Sequence, residues 1–370
     1  MSKQFLNDYI NAYSPVAQEW EGQKIWADYV KQHVDEMHSD AYGTVYGIIK
    51  SKVQDEIEEK VLKDPLNNGV FPPNRYKVVI EAHCDEISWI ISHIDSDGLI
   101  SVNRHGGSDA AIAPSKSVLV HTRKNGKVRG VFGFPAIHVR KTADEKAPKA
   151  ENLWIDLGLA DKKAVEAAGV EVGNLVTFEE TFSELGDFYC GKSLDNKIGG
   201  YIIAEVAKKI KENNMTLPFD LYVVNSVQEE VGLHGARLIA QTLKADIALV
   251  HDVCHATDTP NMSKSKNCDI KAGKGPTLEY AAQNHRMIID YIRDTAEANK
   301  IKYQVEVGSQ GNDTMGFFFA NTPTAIIASP LRYMHTTVEM VHKKDVEAAI
   351  ELFYQCVINM TCKSWKYYDF

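Results

Sequence analysis

Lys77-Val78-Val79-Ile80-Glu81-Ala82-His83-Cys84-Asp85-Glu86 is the stretch that decides the fold. Its short apolar run has the length of a buried strand, and it leads directly into a cluster of polar groups. In open α/β sheets, ligands gather beyond the carboxyl ends of strands, so polar residues there mark a site rather than core. The same arrangement recurs downstream. Leu221 to Val227 reads as a strand followed by Gln228-Glu229-Glu230, Ala245 to Val250 as a strand followed by His251-Asp252, and Thr324 to Ser329 as a strand followed by Arg332-Tyr333-Met334-His335.

Helical periodicity alternates with these strands. Apolar residues at helical spacing predict helices over Gln23 to Val34, Asp195 to Asn213, Leu233 to Leu243, Arg286 to Lys300 and Lys343 to Met360. The polar segment Ser51 to Asn74 begins as a charged helix or strand edge and is broken by Pro65 and Pro72-Pro73. Between Asp95 and Phe182 the texture changes to short β-favouring runs separated by Asp97-Gly98, Gly106-Gly107, Asn125-Gly126 and Gly130, with one helix near Asp161 to Ala168. Asn125-Gly126 predicts a type I′ hairpin, which needs positive φ at both central residues. The natural division is an α/β unit of residues 1–94 and 183–370 interrupted by a β-rich insertion, residues 95–182.

Composition excludes several alternatives. The 370 residues carry 41 Lys+Arg against 50 Asp+Glu, a net charge of −9, which argues against a nucleic-acid partner. A hydrophobic content of 44% fills a core and argues against disorder. No apolar run is long enough to span a membrane, and the first residues lack the apolar centre of a secretory signal. The six cysteines, without a CxxC pair, fit a reduced cytoplasmic compartment.

His83, Asp195, Glu230, Asp252 and His335, with Glu229 beside them, are the candidate metal-binding and catalytic positions. Taken singly each has an ordinary explanation: a satisfied histidine, a solvated Glu-Glu pair, a helix N-cap at Asp195. Together, two imidazoles and several carboxylates at strand and helix ends suit two divalent ions held by a shared carboxylate. The donor set fits zinc, with cobalt or manganese as alternatives. His251, His255, Cys84 and Cys254 lie close in sequence, but side chains alternate along a strand, which turns His251 and the cysteines away from their ligand neighbours.

Ala82-His83-Cys84-Asp85-Glu86, Ser193-Leu194-Asp195-Asn196-Lys197, Gln228-Glu229-Glu230-Val231-Gly232, Asp252 with Asp258-Thr259-Pro260, and Arg332-Tyr333-Met334-His335 with Glu339 follow one another in an order that resembles the tetrahedral (TET-type) aminopeptidase and glutamyl aminopeptidase family, some of whose members are labelled endoglucanases. The resemblance runs from about Val78 to Ala349. It implies a three-layer α/β/α metallopeptidase unit on a mixed sheet, with a small β-rich insertion, PDZ-like or a β-barrel, used for dimer contacts. It implies Asp195 bridging two ions, His83 and Glu230 completing one, and Asp252 and His335 the other. Glu229 becomes the general base that activates a metal-bridging water, and Asp85 the carboxylate orienting His83. It also implies a homo-oligomer, dimer-based and extending to a tetrahedral dodecamer, acting on short peptides.

This sequence departs from the family pattern at Ser88, at Asn196-Lys197, at Gly311-Asn312-Asp313-Thr314, after Gly106-Gly107, and at Phe134-Pro135-Ala136-Ile137-His138. None of these is a candidate ligand. The rival readings are a metal-dependent deacylase or other amidohydrolase, a glycanase, and a metal-binding scaffold without turnover. A glycosidase ordinarily uses two carboxylates without metal, and a scaffold has no use for Glu229. Asp313 or Glu339 are candidates for receiving a substrate's free amine, Lys274 reads as a solvated lysine, and Trp365 to Phe370 as a packed tail.

Overall fold

The computed structural model describes residues 1–62, 75–140, 147–308 and 311–368. Pro65 and Pro72-Pro73 lie outside them. In chain order, helices α1 (Lys3–Asn11) and α2 (Trp20–Val30) precede strands β1 (Glu36–Ser39) and β2 (Val45–Ile49), helix α3 (Lys52–Leu62) and strand β3 (Lys77–His83). Then come β4 (Ser88–Ile94), β5 (Ile100–His105), β6 (Ser117–His121), β7 (Lys127–Phe132), β8 (Trp154–Asp156), α4 (Lys162–Ala167) and β9 (Leu175–Phe178). The second half holds β10 (Ser183–Leu185), β11 (Phe188–Gly191), α5 (Leu194–Glu212), β12 (Asp220–Ser226), α6 (His234–Leu243), β13 (Ile247–His255) and α7 (Lys264–Asn267). It ends with β14 (Thr277–Tyr280), α8 (Arg286–Ala298), β15 (Gln304–Val307), α9 (Thr314–Phe319), β16 (Thr324–Arg332), β17 (Glu339–His342) and α10 (Lys343–Asn359).

β3 sits in the middle of an 11-stranded mixed sheet, between β12 and β13 and parallel to both. Its side chains explain the placement. Val78, Ile80 and Ala82 enter a core shared with α1, α2, α5, α8 and α10, while Val79 faces the opposite core with α6 and α9. A parallel strand covered by helices on both faces buries side chains on both, which is why the run Val78 to Ala82 shows no apolar–polar alternation, although it includes the buried Glu81. Three layers, α/β/α, result.

β4, β5, β8, β7, β6 and β9 close into an antiparallel barrel. Trp89, Ile91, Val118, Val120, Phe132, Ile155 and Val176 fill it. All of its strands fall between β3 and β10 in the chain. The barrel starts earlier than residue 95: Ser88–Ile94 is its first strand, pairing with both β5 and β9. Its alternation was hidden because Trp89 and Ile91 are apolar and lie inside, with Ile90 between them.

Two local expectations change. The β6–β7 hairpin forms, but its loop spans residues 122–126 and only Gly126 has positive φ there, so the turn is not type I′. β13 runs on to His255, which puts Asp252 on the strand rather than after it. Near the C-terminus Trp365 is buried, its indole N–H donating to Tyr76 Oη at 3.0 Å, but Tyr367 and Tyr368 are exposed, so the expected packed tail holds for Trp365 alone among the described residues.

Candidate metal centre

Strand register brings the candidate residues together. β3 and β12 run parallel with His83 opposite Ser226, so the Gln228-Glu229-Glu230 turn leaves the sheet beside His83. β13 and β16 are parallel with Asp252 opposite Ala328, so β16 delivers the His335 loop to the same edge. Asp195 arrives from the start of α5, where Asp195 and Asn196 are non-helical and aim the carboxylate off the helix. Gln228, Ser193 and His335 all adopt left-handed φ, between 53° and 61°. Such non-glycine strain concentrates at functional sites, where the surroundings over-determine it.

Asp195 stands between two imidazoles. Its Oδ1 is 3.3 Å from His83 Nε2 and its Oδ2 is 3.3 Å from His335 Nε2. Asp252 Oδ1 lies 3.8 Å from His83 Nε2, and Glu230 Oε1 lies 3.4 Å from His335 Nε2. Two triads follow, His83–Asp195–Asp252 and Asp195–Glu230–His335, sharing Asp195. The pairing implied by the family resemblance is therefore redistributed: His83 groups with Asp252, not Glu230, and His335 with Glu230, not Asp252. The reason is the sheet. β3 and β13 are adjacent and carry His83 and Asp252 side by side, whereas Glu230 leaves β12 toward the His335 loop.

Glu229 belongs to neither triad, yet its Oε2 is 3.8 Å from His83 Nε2. Asp85 separates the two glutamates. Its Oδ1 accepts the Glu229 amide at 3.0 Å and its Oδ2 the Glu230 amide at 3.1 Å, while Oδ1 also stands 3.4 Å from His83 Nδ1. Glu339, buried, accepts the His335 amide at 2.7 Å and the Asp195 amide at 3.1 Å, one oxygen each. Both its oxygens are thus engaged with backbone. Asp313 is buried as well, accepts from the Ser226 hydroxyl at 2.9 Å and packs near Glu81. Both residues serve the framework of the site; for Glu339, named from sequence as a candidate for receiving a substrate's amine, both oxygens are instead taken by backbone amides.

The charges explain what the cluster lacks. Burial opposes ionisation of both imidazoles, yet the carboxylates of Asp195, Asp252 and Asp85 hold His83 well above its usual range, and Asp195 and Glu230 push His335 to about 11. Burial raises Glu230 to about 7, and raises Glu229 and Asp252 too, with neighbouring carboxylates adding to the effect on each. This is a set of acids repelling one another, and the cationic groups in contact with them among the described residues are the two histidines.

Divalent cations fit that deficit. His83, 1% exposed, has neither ring nitrogen in a hydrogen bond among the described residues, and its Nε2 faces carboxylates. Tetrahedral N/O ligands about 2.0–2.1 Å from a zinc-sized ion stand about 3.4 Å apart, close to the spacings of 3.3–3.8 Å observed. His251 turns to the other face as strand alternation requires, bonding Asn196 Oδ1 at 3.0 Å and Ser329 Oγ at 2.9 Å. Cys84 packs against Ser14, and Cys254 contacts Thr277.

One departure from the family pattern, Lys197, and the Gly106-Gly107 pair that precedes another acquire a structural meaning. Lys197 is fully buried, donating to the Ala12 carbonyl at 2.5 Å and standing 3.4 Å from Glu86, which also pairs with Lys192 at 2.5 Å. Gly107, just past β5, faces the His335 ring so closely that a Cβ there would lie 2.4 Å from Nδ1, and a Cβ on Gly106 would lie 3.3 Å from that of Glu230. The barrel edge therefore forms one wall of the centre. Lys116 reinforces this contact, donating to Thr337 Oγ1 at 2.8 Å.

A sequence model of the M42 glutamyl aminopeptidase family matches residues 69–352. The lysyl aminopeptidase of Pyrococcus furiosus is 29% identical over 306 residues, 80% of this chain and 86% of the relative. The glutamyl aminopeptidase of Lactococcus lactis is 28% identical over 274 residues, 71% of this chain and 75% of the relative. Among solved structures, the TET aminopeptidase of the marine sediment archaeon Thaumarchaeota archaeon SCGC AB-539-E09 superposes with a TM-score of 0.86 at 27% identity, covering 97% of each chain. With the mixed sheet, the closed barrel and the clustered His and carboxylate residues, these matches place the chain in the M42 glutamyl aminopeptidase family, as a metallo-aminopeptidase.

Proposed function

We propose that the protein removes N-terminal residues from short peptides at a dinuclear centre. In this reading Asp195 is the shared ligand, with His83 and Asp252 completing one site and Glu230 and His335 the other. Zinc suits these donors, with cobalt or manganese as alternatives. When bound, such ions polarise a carbonyl and make water acidic enough to attack near neutral pH. Glu229 then acts as general base, taking the proton of the attacking water and delivering it to the leaving amine. Asp85 keeps Glu229 and Glu230 in separate directions through their amides.

The observation that carries this reading is the position of Glu229, against His83 but outside both triads. A site that only stored metal would not need a further buried carboxylate there. The test is release of leucyl, glutamyl and lysyl groups from anilides, with and without chelator. Chelator-sensitive release is expected, and its absence from all of them would sink the reading. Equal hydrolysis of Nα-acetylated peptides would instead indicate a deacylase or endopeptidase.

We further read residues 95–182, with the strand before them, as an inserted unit that makes subunit contacts in a homo-oligomer. Val131 is exposed on β7, and Ile137 and Val139 are exposed in the segment after it, so that unit presents large apolar side chains to solvent. Sedimentation of the intact chain against a variant carrying Ile137→Asp and Val139→Asp tests this, with a smaller species expected for the variant. The cytoplasm is the proposed compartment, in keeping with six free cysteines. No helix among the described residues is long and apolar enough to cross a membrane.

A further inference from the structure

A cavity of about 150 Å³ opens on Asp252 and is walled by Glu279 on β14 and Glu306 on β15. These two strands pair in parallel with Glu279 directly opposite Glu306, so both carboxylates project on the same face. Like charges placed opposite one another on a sheet are destabilising. Among the described lining residues the only lysine or arginine is Lys266, which is exposed at the rim.

Glu279 is 5% exposed. Its Oε2 accepts from Asn284 Nδ2 at 2.8 Å, while Oε1 accepts no hydrogen bond among the described residues. Gly308 makes room for that free oxygen: a Cβ there would lie 1.8 Å from Oε1. Glu306 uses Oε1 to accept from the Thr277 hydroxyl at 2.7 Å. Burial pushes both carboxyls up, Glu306 to about 7 with Glu279 adding to the effect, as expected of paired acids without a cation.

We infer that this cavity receives the side chain of the substrate's N-terminal residue, and that Glu279 and Glu306 select an alkylammonium group such as that of lysine. The inference rests on the aminopeptidase reading above and names the substrate class of that site. Position supports it, because the cavity begins at Asp252 and a scissile carbonyl held at the centre would direct the adjoining side chain there. Size supports it as well. A cavity of this volume holds about six carbon-sized atoms, as benzene does, and a lysine side chain has five. The other recess at the centre, lined by Asp195 with Lys192, Ser193 and Thr336, is about 10 Å³ and has room for a water only.

The test compares lysyl, norleucyl and glutamyl anilides on the metal-loaded enzyme, the norleucyl compound having lysine's four-carbon chain without its terminal ammonium group. The lysyl-to-norleucyl ratio of kcat/KM is expected to exceed about tenfold. Glu279→Gln and Glu306→Gln are each expected to lower that ratio at least about fivefold, as is Gly308→Ala, whose methyl displaces Glu279. A wild-type ratio at or below one, preference for glutamyl, or a ratio unmoved in both glutamine variants would overturn the inference while leaving the aminopeptidase reading intact. No chelator-sensitive release from any of the three would remove that reading, and this inference with it.

Discussion

Asp85 fixes the direction of Glu229 through the backbone: the two oxygens of one buried carboxylate accept the amides of Glu229 and Glu230, at 3.0 and 3.1 Å. Adjacent residues are thereby sent to different tasks, one toward His335 and the other toward His83. Asp85→Asn replaces one acceptor with a donor that faces an N–H. We expect a loss of about 10–100-fold in activity or metal affinity, with the fold retained by circular dichroism. An unchanged kcat with full metal content would show that the turn holds itself.

Glu229→Gln preserves shape but cannot accept a proton from water. The expected loss is on the order of 10²-fold or more in kcat, with two metal ions per chain still found by elemental analysis. Loss of one ion in a folded variant would instead make Glu229 a ligand.

The grouping of ligands predicts a pattern among double variants. His335→Ala and Glu230→Gln strike the same proposed ion, so their combination should still leave about one tightly bound metal per chain. His335→Ala with Asp252→Asn strikes both ions and should leave neither tightly bound. Metal content after dialysis measures this. The opposite pattern, with the first pair losing both ions, would restore the grouping implied by the family resemblance.

Glu86 carries a prediction about acid stability. Burial opposes its ionisation, but the ammonium groups of Lys192 and Lys197 hold it down to about 2, against an ordinary 4.5. A carboxyl whose folded value is depressed contributes stability that is complete above about pH 4.5 and lost as pH falls toward 2. Glu86→Gln leaves two buried ammonium groups without their carboxylate and should cost about 3–5 kcal/mol at neutral pH. Its unfolding midpoint should also vary less than that of the parent between pH 5 and 3. Parallel acid profiles for the two proteins would mean that Glu86 is not the titrating group.

Much of this site was legible because strand ends are legible. The run Val78-Val79-Ile80 fixes where His83 must emerge, and the apolar stretches before Glu229, Asp252 and His335 do the same. Which residues pair was not legible, because sequence order says nothing about strand order. β3 lies between β12 and β13, so His83 could group with ligands from either side. Glu279 and Glu306 were equally hidden. Each is the one charged residue in a short strand, and only the register of β14 against β15 sets them face to face. Ser88–Ile94 went to the wrong side of residue 94 for a similar reason, since an apolar strand looks the same in a sheet and in a barrel.

The contact between Gly107 and His335 limits how freely the barrel can be exchanged. The edge loop meets the imidazole at a distance that excludes even a methyl group. A barrel taken from another protein could pack, pair and fold in this place and still push His335 out of register with Asp195. Whatever its strands, it would have to bring side-chain-free backbone to that one point. The inserted barrel thus carries a clearance that the centre cannot do without.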